Sequence, residues 1–221
     1  SVVRTGGEFR TSGTAVEGRI FSSNDHMLQA ALRAEGCGLQ RTPVLARDAH
    51  GELRAAFAEA QRDTDLVIST GGVSVGDHDL VADVLRDLGA EILFHGVRQK
   101  PGKPMLAARM GSSLVLALPG NPRAVLVAWH LYVRPVLAAL QGAREPLLAS
   151  EVLPLAEGVR WKGGRVDLRA AHVRGGQVHL MRDEGSHMLL GMVGADVLVE
   201  LPVEGGELSA GALVLVHYLS R

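Results

Sequence analysis

Asp65-Leu66-Val67-Ile68-Ser69-Thr70-Gly71-Gly72-Val73-Ser74-Val75-Gly76-Asp77-His78-Asp79, followed by Leu80, Val81, Val84, Leu85 and Leu88, is the stretch whose reading decides the fold. The β-branched run ending at Ser69 reads as a buried strand, and the leucines and valines from Leu80 onward recur at helical spacing. A strand, a glycine-rich loop and a helix in that order make half of a βαβ unit. The same alternation continues on both sides. Leu28, Ala31 and Leu32 form a helical stripe behind Ser23-Asn24, which are good capping residues, and Gly36 and Gly38 end it. Leu39–Leu45 reads as extended, and Leu53, Ala56, Phe57 and Ala60 mark another helix. Ile92–Phe94, Met105–Ala108 and Leu114–Leu118 read as strands. Arg123–Leu140 is a helix apolar almost all round, and Pro135 predicts a kink near Leu131. The expected fold is α/β: a three-layer parallel-sheet domain over residues 1–145, with its ligands at the carboxyl ends of the strands.

Composition changes near Gly142-Ala143-Arg144-Glu145-Pro146. Beyond it, short alternating runs are interrupted by Gly163-Gly164, Gly175-Gly176 and Gly205-Gly206, and Val197–Leu201 and Leu213–Val216 are strong strand candidates. Residues 146–221 are therefore expected to form a small all-β, barrel-like domain.

The chain has 221 residues, enough to bury a core without staples; 47% are hydrophobic and 21% charged, which excludes a disordered protein. With 23 Lys plus Arg against 24 Asp plus Glu, a global nucleic-acid footprint is excluded. The single cysteine, Cys37, excludes an internal disulfide framework and a multi-cysteine zinc site, and reads as a small buried residue rather than a nucleophile. The longest apolar run, Ala124–Trp129, stops at His130, far short of a bilayer, and no secretory leader is visible, so a cytoplasmic setting is the expectation. The opening lacks methionine and starts inside an apolar run, as a piece of a longer protein would.

Three turns carry the candidate chemistry. In the first, Gly71, Gly72 and Gly76 let backbone N–H groups approach a ligand, and Thr70 and Ser74 add hydroxyls. Asp77 and Asp79 admit two readings, helix cap or ligands of a hard cation such as Mg²⁺, and Asp48 shares that ambiguity. The spacing matches neither the dinucleotide fingerprint nor the Walker A loop. In the second turn, Lys100-Pro101-Gly102-Lys103-Pro104, two prolines stiffen a loop bearing two ammonium groups, which suits a multiply charged oxyanion. In the third, Leu118-Pro119-Gly120-Asn121-Pro122, Asn121 and Pro122 suit a helix start, and Pro119-Gly120 equally suits a pocket floor. The nine histidines show no zinc-ligand spacing. His95, at a strand end, reads as a satisfied polar residue.

In that order and spacing the three turns resemble the molybdopterin molybdenumtransferases, the MoeA proteins and the E domain of gephyrin. The resemblance covers nearly the whole chain. It implies insertion of molybdate into the dithiolene of adenylylated molybdopterin with release of AMP and Mg²⁺ assistance. It implies Asp48, Asp79 and Glu8 as catalytic acids and Asp48, Asp77 and Asp79 as metal ligands. Thr70, Gly71, Gly72, Ser74, Gly76, Lys100, Gly102, Lys103, Pro119, Gly120, Asn121 and Pro122 would bind substrate. Arg165, Arg169 and Ser186, in segments that look like the family's C-terminal molybdate contacts, would join them. Two departures stand out. Gly7 replaces the aspartate of the family's usual Thr-Gly-Asp-Glu, and Ser22-Ser23-Asn24 lacks the acid often found before its asparagine. The family has two further N-terminal domains that support dimerisation, so a homodimer is expected of the full-length protein, and this chain alone is expected to be inactive. The partners implied are the pterin substrate and molybdate, with no nucleic acid and no membrane. The competing readings are a non-catalytic molybdopterin-binding module and a related molybdopterin adenylyltransferase or pyrophosphatase.

Overall fold

The computed structural model describes residues 1–5, 9–10, 20–21, 23–38, 44–46, 49–73, 79–181, 192 and 194–220. It divides into two compact units: Ser1–Val97 with Pro104–Val125, and Arg98–Lys103 with Leu126–Arg221.

The first unit opens with β1 (Val2–Thr5), a short parallel pair β2 (Phe9–Arg10) and β3 (Ile20–Phe21), and α1 (Asn24–Ala34). Then come β4 (Val44–Ala46), α2 (His50–Ala60), β5 (Leu66–Thr70), α3 (Leu80–Asp87) and β6 (Glu91–His95). After the two-residue strand β7 (Gln99–Lys100) it resumes with β8 (Leu106–Met110), β9 (Ser113–Leu118) and the start of α4 (Pro122–Ala128). The main sheet runs β4-β1-β5-β9-β8-β6. Leu53, Phe57, Val81, Val84 and Leu85 of α2 and α3 pack with Val3, Val67, Val115 and Ala117 as one fully buried cluster on one face. Side chains alternate along a strand, so Arg4 lies on the opposite face, where it pairs with Asp25 of α1. Helices therefore cover both faces, as a sheet of continuous apolar strands requires.

The sheet is mixed rather than wholly parallel. β4, β1, β5 and β9 are parallel, but β8 runs antiparallel to both β9 and β6. The reason is local. Only Gly111 and Ser112 separate β8 from β9, and Gly111 takes φ +61°. Two residues close a hairpin and leave no room for the crossover that a parallel pair needs.

In the second unit α4 passes through a π-helical stretch, Trp129–Val133, into α5 (Arg134–Leu140). The N–H of Arg134 donates to Trp129 O, five residues back, just where Pro135 removes the bond Leu131 O would have received. Pro122–Leu140 spans 19 residues with mean hydropathy 1.3, and 56% of its most apolar window is buried inside the protein. Val127 packs with Leu168, Ala170, Met192 and Leu198, so this helix covers a sheet.

That sheet comprises β10 (Ser150–Pro154), β12 (Val166–Arg174), β13 (Gln177–Leu180), β14 (Val197–Leu201) and β16 (Leu213–Tyr218) in the order β10-β16-β14-β12-β13. β11 (Val159–Trp161) pairs with β15 (Gly206–Leu208). Val197, Val199, Leu201, Val214 and Val216 carry its core. The two ends of the five-strand order meet at a single bridge, Leu155 with Val178, where Ala156 N–H donates to Val178 O at 2.9 Å. The unit is thus barrel-like, joined at one point rather than by a full ladder. Gly163 and Gly205 cross so closely that a Cβ on Gly163 would sit 2.4 Å from Glu204 O, which is why glycine pairs punctuate both segments.

The composition change near residue 145 falls between α5 and β10, whereas the packing boundary lies inside α4 and gives residues 98–103 to the second unit. The cause is β7, which pairs in parallel with β12.

Candidate functional site

Two of the three turns meet at the carboxyl margin of the first sheet. β5 and β9 are parallel neighbours with Thr70 opposite Leu118, so their following turns leave side by side. Gly71 N–H donates to Leu118 O at 3.2 Å, and the Thr70 hydroxyl donates to Pro119 O at 3.3 Å. Asn24, at the start of α1, locks both turns: its amide donates to Thr70 Oγ1 at 3.0 Å and to Gly120 O at 2.8 Å. Gly71 has φ +87°, and a Cβ there would lie 2.4 Å from Thr5 O; one on Gly72 would lie 2.5 Å from Thr5 Oγ1. Only glycine lets the ends of β1 and β5 approach this closely.

Capping differs between the helices here. Asn121 Oδ1 accepts from Arg123 N–H at 3.0 Å and Ala124 N–H at 3.3 Å, with Pro122 as first helical residue, the structural role read from sequence. Ser23 makes no side-chain cap on α1, and buried Asn24 reaches the two turns instead of its own helix. The expectation that Ser23-Asn24 caps through side chains is corrected on that ground.

Asp79 is 4% exposed and caps α3: Oδ1 accepts from Val81 and Ala82 N–H, both at 3.0 Å. Its Oδ2 lies 2.9 Å from His95 Nε2 at the end of β6. Both oxygens are therefore engaged within the protein. Among the described residues no group of three or more His, Cys, Asp or Glu is placed to hold a metal ion. Glu8, Asp48, Ser74, Gly76, Asp77 and Ser186 lie outside the described residues.

The lysine turn and the arginines belong to the second unit. β7 lies against β12 with Gln99 opposite Val166 and Lys100 opposite Asp167. Gln99 is buried; its amide donates to Pro101 O at 3.0 Å, and its Oε1 accepts a short bond from the Tyr132 hydroxyl. Burial first, and the charge of Glu200 second, push the Tyr132 phenol above its ordinary pKa. Gly102 takes φ +100°, and Lys100 and Lys103 are exposed. Arg169 sits two residues beyond Asp167, on the same face, and Nε and Nη2 donate to Asp167 Oδ2 at 3.2 and 3.0 Å. Arg165, partly exposed, follows the Gly163-Gly164 crossing. Arg169 is thus paired with a carboxylate that sequence reading did not single out, one that stands opposite Lys100 in the strand register. The clue was there in the two-residue spacing of Asp167 and Arg169, which share a face once the segment is a strand.

Cys37 is half-buried, and burial, then the charge of Glu35, raise its thiol pKa, which disfavours a thiolate nucleophile.

A glycine-lined margin on an α/β sheet followed by a β unit is a two-part architecture, and comparison with known proteins gives that class its family. Residues 2–139 match the family described as "Probable molybdopterin binding domain", and residues 152–219 match "MoeA C-terminal region (domain IV)". The chain belongs to the molybdopterin-binding family in its MoeA form. It is 29% identical over 227 residues to molybdopterin molybdenumtransferase 2 of Mycobacterium tuberculosis, covering 99% of this chain and 56% of that protein. The molybdopterin molybdenumtransferase of Haemophilus influenzae is 30% identical over 98% of this chain and 55% of its own length. The solved molybdopterin biosynthesis MoeA protein of Pyrococcus horikosii superposes with a TM-score of 0.79 at 26% identity, covering all of this chain and 54% of that one. The chain spans about half the length of the relatives it matches.

Proposed function

We propose that this chain serves molybdenum cofactor biosynthesis as the pterin- and oxyanion-handling part of a molybdopterin molybdenumtransferase. The observation that carries the reading is the locking of the Gly71 and Gly120 turns at one sheet margin by Asn24. That margin presents glycine backbone beside the start of α4, a surface suited to a phosphate-bearing pterin. Lys100, Lys103 and Arg169 of the second unit supply positive charge for molybdate.

In this reading molybdate is transferred to the dithiolene of adenylylated molybdopterin. Water or a molybdate oxygen attacks phosphorus, the bond between the two phosphates breaks, and AMP leaves. The protein's part is to orient the diphosphate and offset charge as it develops. No protein nucleophile is required. Of the implied Mg²⁺ ligands, Asp48 and Asp77 lie outside the described residues, and among the described residues no group of three or more His, Cys, Asp or Glu is placed to hold the ion, so no step is assigned to it. A cytoplasmic setting and a homodimer of the full-length protein go with the proposal.

The test is AMP release from adenylylated molybdopterin by the full-length protein, with and without molybdate. Molybdate-dependent release supports the reading. Release without molybdate points to a pyrophosphatase, and tight binding without release to a binding module. Lys103→Ala is expected to weaken molybdate affinity, and an unchanged affinity removes Lys103 from the site.

A further inference from the structure

The row Asp167, Arg169 and Ala171 on β12 faces the same side as Leu201, Val199 and Val197 on β14, the residues that carry the core of the second unit. Two charged residues on that face need mutual satisfaction, and they have it. Asp167 has 7% of its side chain exposed and Arg169 has 19%. Asp167 Oδ2 accepts from Arg169 Nε at 3.2 Å and Nη2 at 3.0 Å, and Nη2 also donates to Arg160 O at 3.2 Å. The Nε–Nη2 edge of the guanidinium is thereby fixed, which sets its plane, and among the described residues no partner occupies the Nη1 end. Parallel pairing of β7 and β12 puts Lys100 opposite Asp167, so both side chains rise from one face of the sheet.

We propose that Asp167 is a positioning residue: it holds Arg169 in one orientation and offsets the repulsion between Arg169 and Lys100, so that the pair forms a preorganised oxyanion seat. The inference rests on the oxyanion reading given above. It makes a prediction of opposite sign to simple charge counting. A carboxylate beside an anion site repels the anion, so on electrostatics alone its neutralisation tightens binding. If its role is orientation, neutralisation loosens binding.

The experiment titrates the whole chain with sodium molybdate by calorimetry for the wild type, D167N and D167E, with thermal unfolding of each as a check on folding. In parallel, ¹⁵N spectra follow solvent exchange of the Arg169 Nε–H. D167N is expected to weaken molybdate binding by about tenfold, as loss of a preorganised contact does, and to expose the Nε–H to exchange. D167E, which keeps the charge, is expected to recover most of the Nε–H protection and part of the affinity. Unchanged or tighter molybdate binding in D167N overturns the proposal. A wild-type chain with no molybdate affinity instead removes the oxyanion reading, and Nε–H exchange then decides the role of Asp167 alone: protection that persists in D167N overturns it.

Discussion

The ion pair between Arg4 on β1 and Asp25 on α1 allows the sharpest energetic prediction. Nη1 donates to Asp25 Oδ2 at 2.8 Å, and the side chains are 2% and 7% exposed. Among the described residues the pair is incompletely satisfied: Arg4 Nε and Nη2 and Asp25 Oδ1 are buried with no hydrogen-bond partner there. Arg4→Met leaves the Asp25 carboxylate buried and uncompensated, a loss of about 3–5 kcal/mol. For a chain of this size that lowers the melting temperature by about 6–20 °C. Replacing both, as R4M/D25L, removes the desolvated charges and the three orphaned atoms together. The double variant is expected to equal or exceed the parent, by up to about 4 kcal/mol, less the few tenths that an acid in the first turn of α1 contributes through the helix dipole. Both tryptophans, Trp129 and Trp161, lie in the second unit. Fluorescence therefore reports the wrong half, and the measurement is amide exchange in β1 alongside circular dichroism. A single variant within about 1 kcal/mol of the parent, or a double variant as unstable as the single, would refute the reasoning.

Gly71→Ala forces an L side chain into φ +87° and against Thr5 O, whereas Gly36→Ala at φ +72° meets nothing within 4 Å. The second is expected to lose about 1–2 kcal/mol and the first clearly more, read as the difference in urea midpoints; equal losses would remove the close approach from the account. Asp79→Ala deletes both cap bonds of α3 and the His95 contact, and should destabilise by about 1–2 kcal/mol through the cap, whereas Asp79→Asn, retaining an acceptor, should lose less. The Tyr132 phenol, raised above 10.0 by burial and then by Glu200, binds its proton more tightly folded than unfolded. Its contribution is complete below pH 10 and is lost as pH rises through the folded value, so Tyr132→Phe should flatten the alkaline limb of the stability curve. Absorbance titration at alkaline pH, with Tyr218→Phe as background, checks that order.

Periodicity carried the reading where one face of an element is buried. α2, α3, β5 and β9 stand where apolar spacing put them, and Pro135 marks the π-helical stretch because its missing N–H has a fixed address. What escaped has no periodicity to show. β7 is two residues long and is a strand only because β12 lies beside it. The direction of β8 was set by a two-residue turn rather than by its own residues. Arg4 sits in an apolar run and finds its acid 21 positions later, a tertiary choice that no local pattern encodes. Asn24 looks like a cap in sequence and is instead the tie between two strand ends. The turns after β5 and β9 were legible as turns because glycine and proline at strand ends interrupt both strand and helix.

The lysine loop follows the packing of one unit and the chain order of the other, since residues 98–103 leave before Pro104 returns. The two units are therefore sewn rather than strung. A recombination or proteolytic cut between Leu140 and Val166 would yield an amino-terminal piece that still carries both lysines yet has lost the strand beside which Lys100 lies. A lineage that kept only the α/β portion would have to find that loop a new neighbour.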